Sequence, residues 1–323
     1  MAAGPLENPH RNDSVQAMTS VASARSGTQW SIEADGHRAV LVEVGGVLRH
    51  YSAAAVQVLD GFAADELSPA SAGQILAPWP NRIRDGHYTF EGQAYQLALT
   101  EPARHNAIHG LTNWSRWTLV EQAPGSVTLE FELPAQVGYP WWLRLRTRWS
   151  VSADGLRCDQ EVVNLSETNA PWGYSVHPYL QLPGVAVDDI VLRVPGQSRV
   201  LADARLLPIG AVKVAGTDYD YTEPRRIGAQ ILDTTFGDIE HDAAGITTVT
   251  IADPASAAKI SVWADEKFRY WQVFSGDTLH GERFRRSVAI EPMTCPPDAF
   301  RTGRDLIVLE PGQTWSASWG IRP

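Results

Sequence analysis

The feature that most constrains the fold of this chain is a hydrophobic repeat of two residues. Between Trp142 and Val151, bulky side chains alternate with arginine and serine, and between Val127 and Leu133 they alternate with threonine and glutamate. Successive side chains of a β-strand point to opposite faces, so strict alternation indicates strands with one face buried and one exposed. This pattern is typical of antiparallel sheets.

Turn signals separate these segments and complete an all-β pattern. They include Asp35-Gly36, Gly45-Gly46, Glu91-Gly92, Asp154-Gly155 and Pro311-Gly312. Many short strands joined by such turns predict a large antiparallel sandwich or barrel. A propeller is the alternative, but its blades would give an internal repeat, and the sequence has none. We predict one domain over residues 29–323, preceded by a disordered tail over residues 1–28.

Composition excludes several kinds of partner. The chain of 323 residues has a formal net charge of −10, which argues against nucleic acid or an anionic membrane as a partner. The two cysteines, Cys158 and Cys295, give no disulfide framework, so we expect a reducing cytoplasm. No apolar run is long enough to span a membrane, and the N-terminus lacks the apolar core of a secretory signal.

A proline-rich segment supplies the first candidate residues. Pro78 and Pro80 hold the backbone extended just before Asn81 and Arg82. The guanidinium of Arg82 offers a planar set of donors that suits oxygen atoms. Arg82 is therefore a candidate ligand for a polar substrate, and the structural alternative is an ion pair with a carboxylate.

Two histidines stand in similar contexts. His109 precedes Gly110, which leaves room for a ligand to approach the backbone, and His177 follows Trp172 in an aromatic segment. Aromatic rings suit a sugar, because its C–H faces pack on rings while its hydroxyls form hydrogen bonds. The alternatives are buried structural histidines and a core tryptophan, since the chain contains 12 Trp.

Glu291 is the clearest candidate for acid–base chemistry. It ends an apolar run, Val288-Ala-Ile, and precedes Pro292. A buried carboxylate is costly unless it is paired or functional, and burial raises its pKa towards the range of a general base. The structural alternative is a salt bridge to Arg285 or Arg286.

Taken in order, these segments resemble the aldose 1-epimerase (galactose mutarotase-like) family. The resemblance runs from about Val40 to the C-terminus. Its anchors are Pro78-Trp-Pro-Asn-Arg-Ile-Arg-Asp-Gly86, Asn106-Ala-Ile-His-Gly110, His177-Pro-Tyr179, Leu232-Asp-Thr-Thr-Phe236 and Glu291-Pro-Met-Thr-Cys-Pro-Pro-Asp-Ala-Phe300.

The resemblance implies a large β-sandwich with the sugar in an open cleft, and neither a metal nor an organic cofactor. It implies that Glu291 is the general base and His177 the general acid. Arg82, His109 and Asp233 match the family's substrate-binding residues, with Asp238 as the alternative to Asp233. We expect a monosaccharide as the partner and a monomer or homodimer as the assembly.

The identity of the sugar is less constrained than the reaction. The amino-acid sequences of the anchors resemble those of a bacterial branch of the family, in which mutarotases for sulfoquinovose are one possibility. Arg283, Arg285 and Arg286 lie just before Glu291, and guanidinium groups suit sulfonate or phosphate. An anionic aldose, such as sulfoquinovose or a hexose 6-phosphate, is therefore one alternative. A carbohydrate-binding sandwich without catalysis is another, and a glycoside-cleaving enzyme is disfavoured because it normally needs two carboxylates.

Overall fold

The computed structural model describes Met1 and residues 24–323. Most of the tail predicted over residues 1–28 therefore lies outside the described residues. Its last residues are attached to the body of the protein: the Ser26 hydroxyl donates to the Ala64 carbonyl, and Thr28 donates from its amide and its hydroxyl to Glu43. The packed part of the described chain thus begins a few residues before the predicted boundary.

The described residues form an almost entirely β structure. The strands, in chain order, are β1 (Gln29–Ala34), β2 (His37–Val42), β3 (Leu48–Ala53), β4 (Val56–Gln57), β5 (Ile75–Leu76), β6 (Arg82–Arg84), β7 (His87–Phe90), β8 (Gln93–Gln96), β9 (Asn106–Ile108), β10 (Thr118–Ala123), β11 (Ser126–Leu133), β12 (Leu143–Ser152), β13 (Gly155–Asn164), β14 (Ala170–Trp172), β15 (Ser175–Val176), β16 (Tyr179–Leu180), β17 (Val191–Arg193), β18 (Gly196–Ala202), β19 (Pro208–Lys213), β20 (Arg225–Arg226), β21 (Asp233–Ile239), β22 (Thr247–Ala252), β23 (Lys259–Ala264), β24 (Tyr270–Phe274), β25 (Val288–Met293), β26 (Ile307–Leu309) and β27 (Thr314–Arg322). Helical structure in the described part comprises α1 (Ala299–Thr302) and the 3-10 turns Pro69–Ser71, Pro102–Arg104, Val187–Asp189 and Gly281–Arg283.

Two large antiparallel sheets dominate the architecture. The first has the strand order β10-β11-β12-β13-β27-β23-β22-β17-β20. The second has the order β19-β18-β21-β24-β25-β15-β5, with β16 also paired to β25. A smaller sheet, β1-β2-β3-β4, and three two-stranded pairs, β14-β26, β6-β9 and β7-β8, complete the fold.

Side chains from the two large sheets meet in one hydrophobic core. Trp149 and Trp319 of the first sheet pack edge to face, with ring centroids 5.7 Å apart. Trp271 of the second sheet donates its indole N–H to the Thr247 hydroxyl of the first, at 3.2 Å. The contact between Trp271 and Thr247 joins the two layers, and buried side chains of both sheets belong to one core cluster. The predicted antiparallel β-sandwich is confirmed.

The alternation in the sequence corresponds to the faces of the first sheet. In β12, every second side chain from Leu143 to Val151 is buried, and the arginines between them are half-buried or exposed. In β11, Val127, Leu129 and Leu133 are buried, but Thr128 is buried as well and Phe131 is only half-buried. The pattern of period two therefore predicted both strands, the buried face of β12 and most of the buried face of β11.

Central strands of the second sheet are buried on both faces, and this positions Glu291. Every residue of β24 and β25 is buried. In β25, Ile290 belongs to the main core, whereas Ala289 packs in a smaller apolar cluster with Tyr179 and Phe274. Side chains two residues apart share a face, so Glu291 lies on the same outer face as Ala289.

The described part of the chain contains no helix with the length and apolar character needed to cross a membrane.

Candidate active site

An open cleft of about 300 Å³ lies over the outer face of the second sheet. The residues predicted from the sequence that line it are Asn81, Arg82, His109, His177, Asp233 and Glu291. These residues are far apart in the chain and come together only in the folded structure. The fold thus brings these predicted site residues to one cleft.

Three neighbouring strands and the turn beside them carry one row of polar side chains. Gln272 in β24 lies directly opposite Glu291 in β25, and Asp233 begins β21, on the other side of β24. His177 lies between β15 and β16, which both pair with β25. The order across the sheet is therefore Asp233, Gln272, Glu291 and His177. Neighbouring strands are about 4.8 Å apart, so the backbone ladder sets the spacing of this row.

His177 and Glu291 contact each other directly. Nε2 of His177 is 3.3 Å from Oε1 of Glu291, and the two side chains are 7% and 2% exposed. Tyr179 stacks on the His177 ring with a centroid distance of 4.8 Å, and His109 meets that ring edge to face at 5.6 Å. The two histidine rings and the carboxyl group therefore form one compact unit.

Several polar atoms of this unit have no hydrogen-bond partner among the described residues. They are Oε2 of Glu291 and the Nδ1 atoms of His109 and His177. Folded proteins pair the great majority of their buried polar atoms. A concentration of unpaired donors and acceptors in one cleft is typical of a site that binds a polar ligand.

Burial moves the pKa values of the acid and the base in opposite directions. It raises the pKa of Glu291 well above its usual value; the charge of Asp233 adds to this rise and Arg82 opposes it. Burial lowers the pKa of His177 to about 4. Burial, with the nearby His177 and Arg82, also lowers the pKa of His109 well below its usual value. Both members of the contact therefore favour their neutral forms when the cleft holds no ligand.

Arg82 is both a wall of the cleft and one half of a buried ion pair. It donates from Nε and Nη2 to the two oxygens of Glu101, at 2.8 and 2.9 Å, and from Nη1 to Asn81. Glu101 also accepts from Arg104 and from the Asn106 amide. Burial opposes these hydrogen bonds, but together they hold the pKa of Glu101 below its usual value. The structural carboxylate considered for Arg82 therefore exists, and it lies in the cleft wall.

Comparison with known proteins agrees with this geometry. The sequence model described as aldose 1-epimerase matches residues 28–322. The chain belongs to the aldose 1-epimerase family. This confirms the resemblance seen in the sequence, and the epimerase is an isomerase of the mutarotase type that acts on a sugar.

Relatives of the epimerase include bacterial and animal proteins. The uncharacterized protein YihR of Escherichia coli (strain K12) is 34% identical over 290 residues, which are 89% of this chain and 91% of that protein. The maltose epimerase of Levilactobacillus brevis is 26% identical over 261 residues, 74% of this chain and 76% of that enzyme.

Solved structures share the fold. A GalM/aldose epimerase homologue from C. elegans superposes with a TM-score of 0.81 at 18% identity, covering 91% of this chain and 98% of that one. A galactose 1-epimerase from Lactobacillus acidophilus gives a TM-score of 0.75 at 19% identity, covering 91% and 94%. At such identities the likeness concerns the fold.

The structure places Asp233, and not its alternative Asp238, in the cleft of the epimerase. Oδ1 of Asp233 accepts a hydrogen bond of 2.6 Å from Nε2 of Gln272. Asp238 lies near the far end of β21, where it is exposed and pairs with Lys213. It borders a larger groove of about 910 Å³, in which Asp305 accepts from Arg269 and from Tyr270. That groove contains neither His177 nor Glu291.

Trp172 does not lie where the sequence interpretation placed it. The side chain is fully buried and packs on Tyr174 and Trp315, with ring centroids 6.4 and 6.1 Å away. It is absent from the lining of the cleft. Proximity to His177 in the sequence was misleading, because Trp172 in β14 faces the core, so its assignment as a sugar ligand is wrong.

The arginines before Glu291 are engaged elsewhere in the epimerase. Arg285 pairs with Asp277 and Asp188, and Arg286 pairs with Asp60. Glu291 therefore has no salt bridge to either arginine, which removes the structural alternative for that carboxyl group. Arg283 lies 3.8 Å from both Asp60 and Glu66. The cluster that suggested an anionic substrate is a set of ion pairs outside the cleft lining.

Sequence reasoning missed two polar residues of the cleft, Glu101 and Gln272. Nothing in the neighbouring sequence marks Glu101, which precedes Pro102 in a loop, whereas Gln272 interrupts an apolar strand, Tyr270–Phe274. A polar residue in the middle of an otherwise apolar buried strand was the one available signal for Gln272. Among the described residues no three His, Cys, Asp or Glu side chains are grouped as a metal site would require.

Proposed function

We propose that this enzyme interconverts the α and β anomers of a free aldose, with Glu291 as general base and His177 as general acid. The observation that carries the proposal is the 3.3 Å contact between Nε2 of His177 and Oε1 of Glu291. In a cyclic sugar, the anomeric carbon bears both the hydroxyl that must lose a proton and the ring oxygen that must gain one. An acid and a base that serve two oxygens on one carbon must lie within a few ångströms of each other, as these two do.

The reaction follows from this placement. Glu291 removes the proton of the C1 hydroxyl while His177 donates a proton to the ring oxygen, and the bond between C1 and the ring oxygen breaks. Rotation about the C1–C2 bond then presents the other face of the aldehyde. The protonated Glu291 returns its proton to the C1 oxygen, His177 takes back the ring-oxygen proton, and the ring closes as the other anomer.

The pKa shifts favour the neutral form of the pair, which in this cycle is the form present after the ring has opened. Burial favours a neutral His177 and a protonated Glu291, which together hold one proton. The form that opens the ring has an ionised Glu291 and a protonated His177. It holds the same single proton, which has moved from Glu291 to His177. The pair therefore alternates between two arrangements of one proton, and ring opening and closure need no net exchange of protons with solvent.

Substrate binding is assigned to the rest of the cleft. We propose that Arg82, His109 and Asp233, with Asn81, hold the sugar hydroxyls and fix the anomeric carbon against the acid–base pair. Such orientation contributes much of the rate of a reaction at a single centre. A binding module would need neither a general acid nor a general base at this position, which disfavours the non-catalytic alternative.

An anionic aldose is the second candidate substrate, and one observation favours it. Arg104 lines the cleft and donates to Glu101 only from Nη1, so its Nε and Nη2 have no partner among the described residues. A sulfonate or phosphate at the end of the sugar remote from C1 would find these donors. The cleft wall carries the positive charges of Arg82 and Arg104, and Glu101 neutralises only one of them. A neutral aldose would leave the second charge without a partner.

Exchange NMR tests both candidates. The α-anomers of glucose, galactose, sulfoquinovose and a hexose 6-phosphate are dissolved separately, and their equilibration is followed with wild-type protein and with Glu291→Gln. We expect at least one sugar to equilibrate faster with the wild type and at the uncatalysed rate with the variant. Acceleration of none of these sugars would contradict the proposal. If only the charged sugars respond and Arg104→Ala raises their KM, the anionic alternative is correct.

Cellular location and assembly remain predictions. The two cysteines are free and buried, which supports the proposal of a reducing cytoplasm. Cell fractionation and light scattering test the cytoplasmic location and the proposed monomer or homodimer.

A further inference from the structure

At the edge of the cleft, Thr235 and Gln272 form a short chain of hydrogen bonds that ends on Asp233. The Thr235 hydroxyl donates to Oε1 of Gln272, and Nε2 of Gln272 donates to Oδ1 of Asp233 at 2.6 Å. Thr235 and Gln272 are only 5% and 3% exposed. The three side chains share one face of the sheet, because Thr235 follows Asp233 by two residues and lies directly opposite Gln272.

The direction of this chain is fixed by chemistry. An ionised carboxylate only accepts hydrogen bonds, so the amide of Gln272 must turn its NH₂ group towards Asp233. Its carbonyl oxygen then points to Thr235 and needs a donor, which the hydroxyl supplies. Without the hydroxyl, the buried carbonyl oxygen would lack this partner, and the amide would have less reason to keep this orientation.

We propose that Thr235 is a positioning residue that, through Gln272, holds Asp233 in the orientation in which it binds a sugar hydroxyl. Thr235 does not line the cleft, so it acts on the sugar only through Gln272 and Asp233. The proposal rests on the proposed role of Asp233 as a substrate ligand. It assigns an effect on substrate affinity to a residue outside the cleft lining.

The effect belongs to binding more than to chemistry. Asp233 stands at the opposite end of the row from His177, two strands away from Glu291. A hydroxyl held there is remote from the bonds that change at C1, so its interaction is similar in the ground state and the transition state. Loss of such uniform binding raises KM and leaves kcat nearly unchanged.

The test compares Thr235→Val with Thr235→Ser, using whichever of glucose, galactose, sulfoquinovose or the hexose 6-phosphate is turned over fastest. Valine keeps the shape of the side chain but removes the hydroxyl, whereas serine keeps the hydroxyl. We expect Thr235→Val to raise KM about tenfold, the factor that corresponds to one hydrogen bond of roughly 1.4 kcal/mol. Thr235→Ser should restore most of the affinity. Thr234→Val, on the opposite face of the same strand, controls for the loss of a buried threonine hydroxyl.

A double-mutant cycle with Asp233→Ala identifies the route of the effect. If Thr235 acts through Asp233, Thr235→Val has no further effect on KM once Asp233 is alanine. An equal rise of KM in both backgrounds, or a fall in kcat with KM unchanged, would overturn the proposal. If Asp233→Ala itself leaves KM unchanged, the proposed function is wrong about Asp233 and the positioning role falls with it. Should Thr235→Val fail to fold, Thr235→Ala in the same cycle removes the same hydroxyl and answers the same question.

Discussion

Nε2 of His177 and Oε1 of Glu291 lie 3.3 Å apart, and their side chains are only 7% and 2% exposed. The acid and the base of the proposed reaction are thus in direct contact. Because the proposed cycle moves one proton between them, they act as a unit and their contributions to the rate are linked.

This linkage predicts non-additive mutations. Glu291→Gln and His177→Asn should each lower kcat by roughly 10²–10⁴-fold, the usual contribution of a positioned acid or base. The double variant should be little worse than the poorer single variant, because either change already removes the shared proton transfer. Polarimetry on freshly dissolved α-anomers measures the three rates. If the double variant instead lowers kcat by the product of the two single effects, the residues work independently.

The pH dependence of kcat/KM should have limbs displaced from ordinary values. The active pair holds one proton, so activity falls in acid when His177 also becomes protonated, near its lowered pKa of about 4. Activity falls in alkali when the pair loses its one proton from Glu291. Burial and the charge of Asp233 raise the pKa of Glu291, so this loss occurs at a higher pH than for an ordinary glutamate. Asp233→Asn removes that charge, so the alkaline limb should move to lower pH. Asp238→Asn, which changes an exposed carboxylate paired with Lys213, should leave both limbs in place; a shift of equal size in both variants would contradict the assignment.

Breaking the ion pair between Arg82 and Glu101 should cost much more stability than breaking a surface pair. Their side chains are 10% and 13% exposed, so Glu101→Ala leaves a nearly buried guanidinium without its partner, at a cost of about 3 kcal/mol. The matched control is Glu130→Ala, which frees the half-exposed Arg146 and should cost less than about 1 kcal/mol. Urea unfolding at constant m-value gives both numbers. Equal losses in the two variants would show that burial of the pair has little effect.

Trp172→Phe should change stability and leave sugar affinity alone. The indole is fully buried against Tyr174 and Trp315, so its truncation leaves a cavity that costs about 2 kcal/mol, less than the roughly 3–5 kcal/mol of a change to alanine. His109→Gln, in the cleft lining, should do the reverse and raise KM. Thermal unfolding and steady-state kinetics on the two variants test this contrast. A raised KM in Trp172→Phe would restore that residue as a substrate ligand.

Local patterns in the sequence carried much of the fold and part of the site. Alternation predicted the buried face of β12 and most of that of β11, because consecutive side chains of a strand point to opposite faces. Glu291 was recognisable because a carboxylate at the end of an apolar run violates local hydrophobic patterning. Glu101 and Gln272 were not recognisable, because their significance depends on partners far away in the chain. Trp172 shows the opposite error, since an aromatic residue near a histidine also suits a core.

The placement of Asp233, Gln272 and Glu291 on three adjoining strands has a consequence for how this enzyme can diversify. Their separation is inherited from the repeat of the peptide ladder, which substitutions at side chains do not alter. The mouth of the cleft, by contrast, is shaped by segments outside those strands, including Ala70, Ser71, Leu206 and Leu279. Changes in those loops can admit a different sugar without disturbing the alignment of the proton-transfer pair, so new preferences can arise while the reaction is conserved.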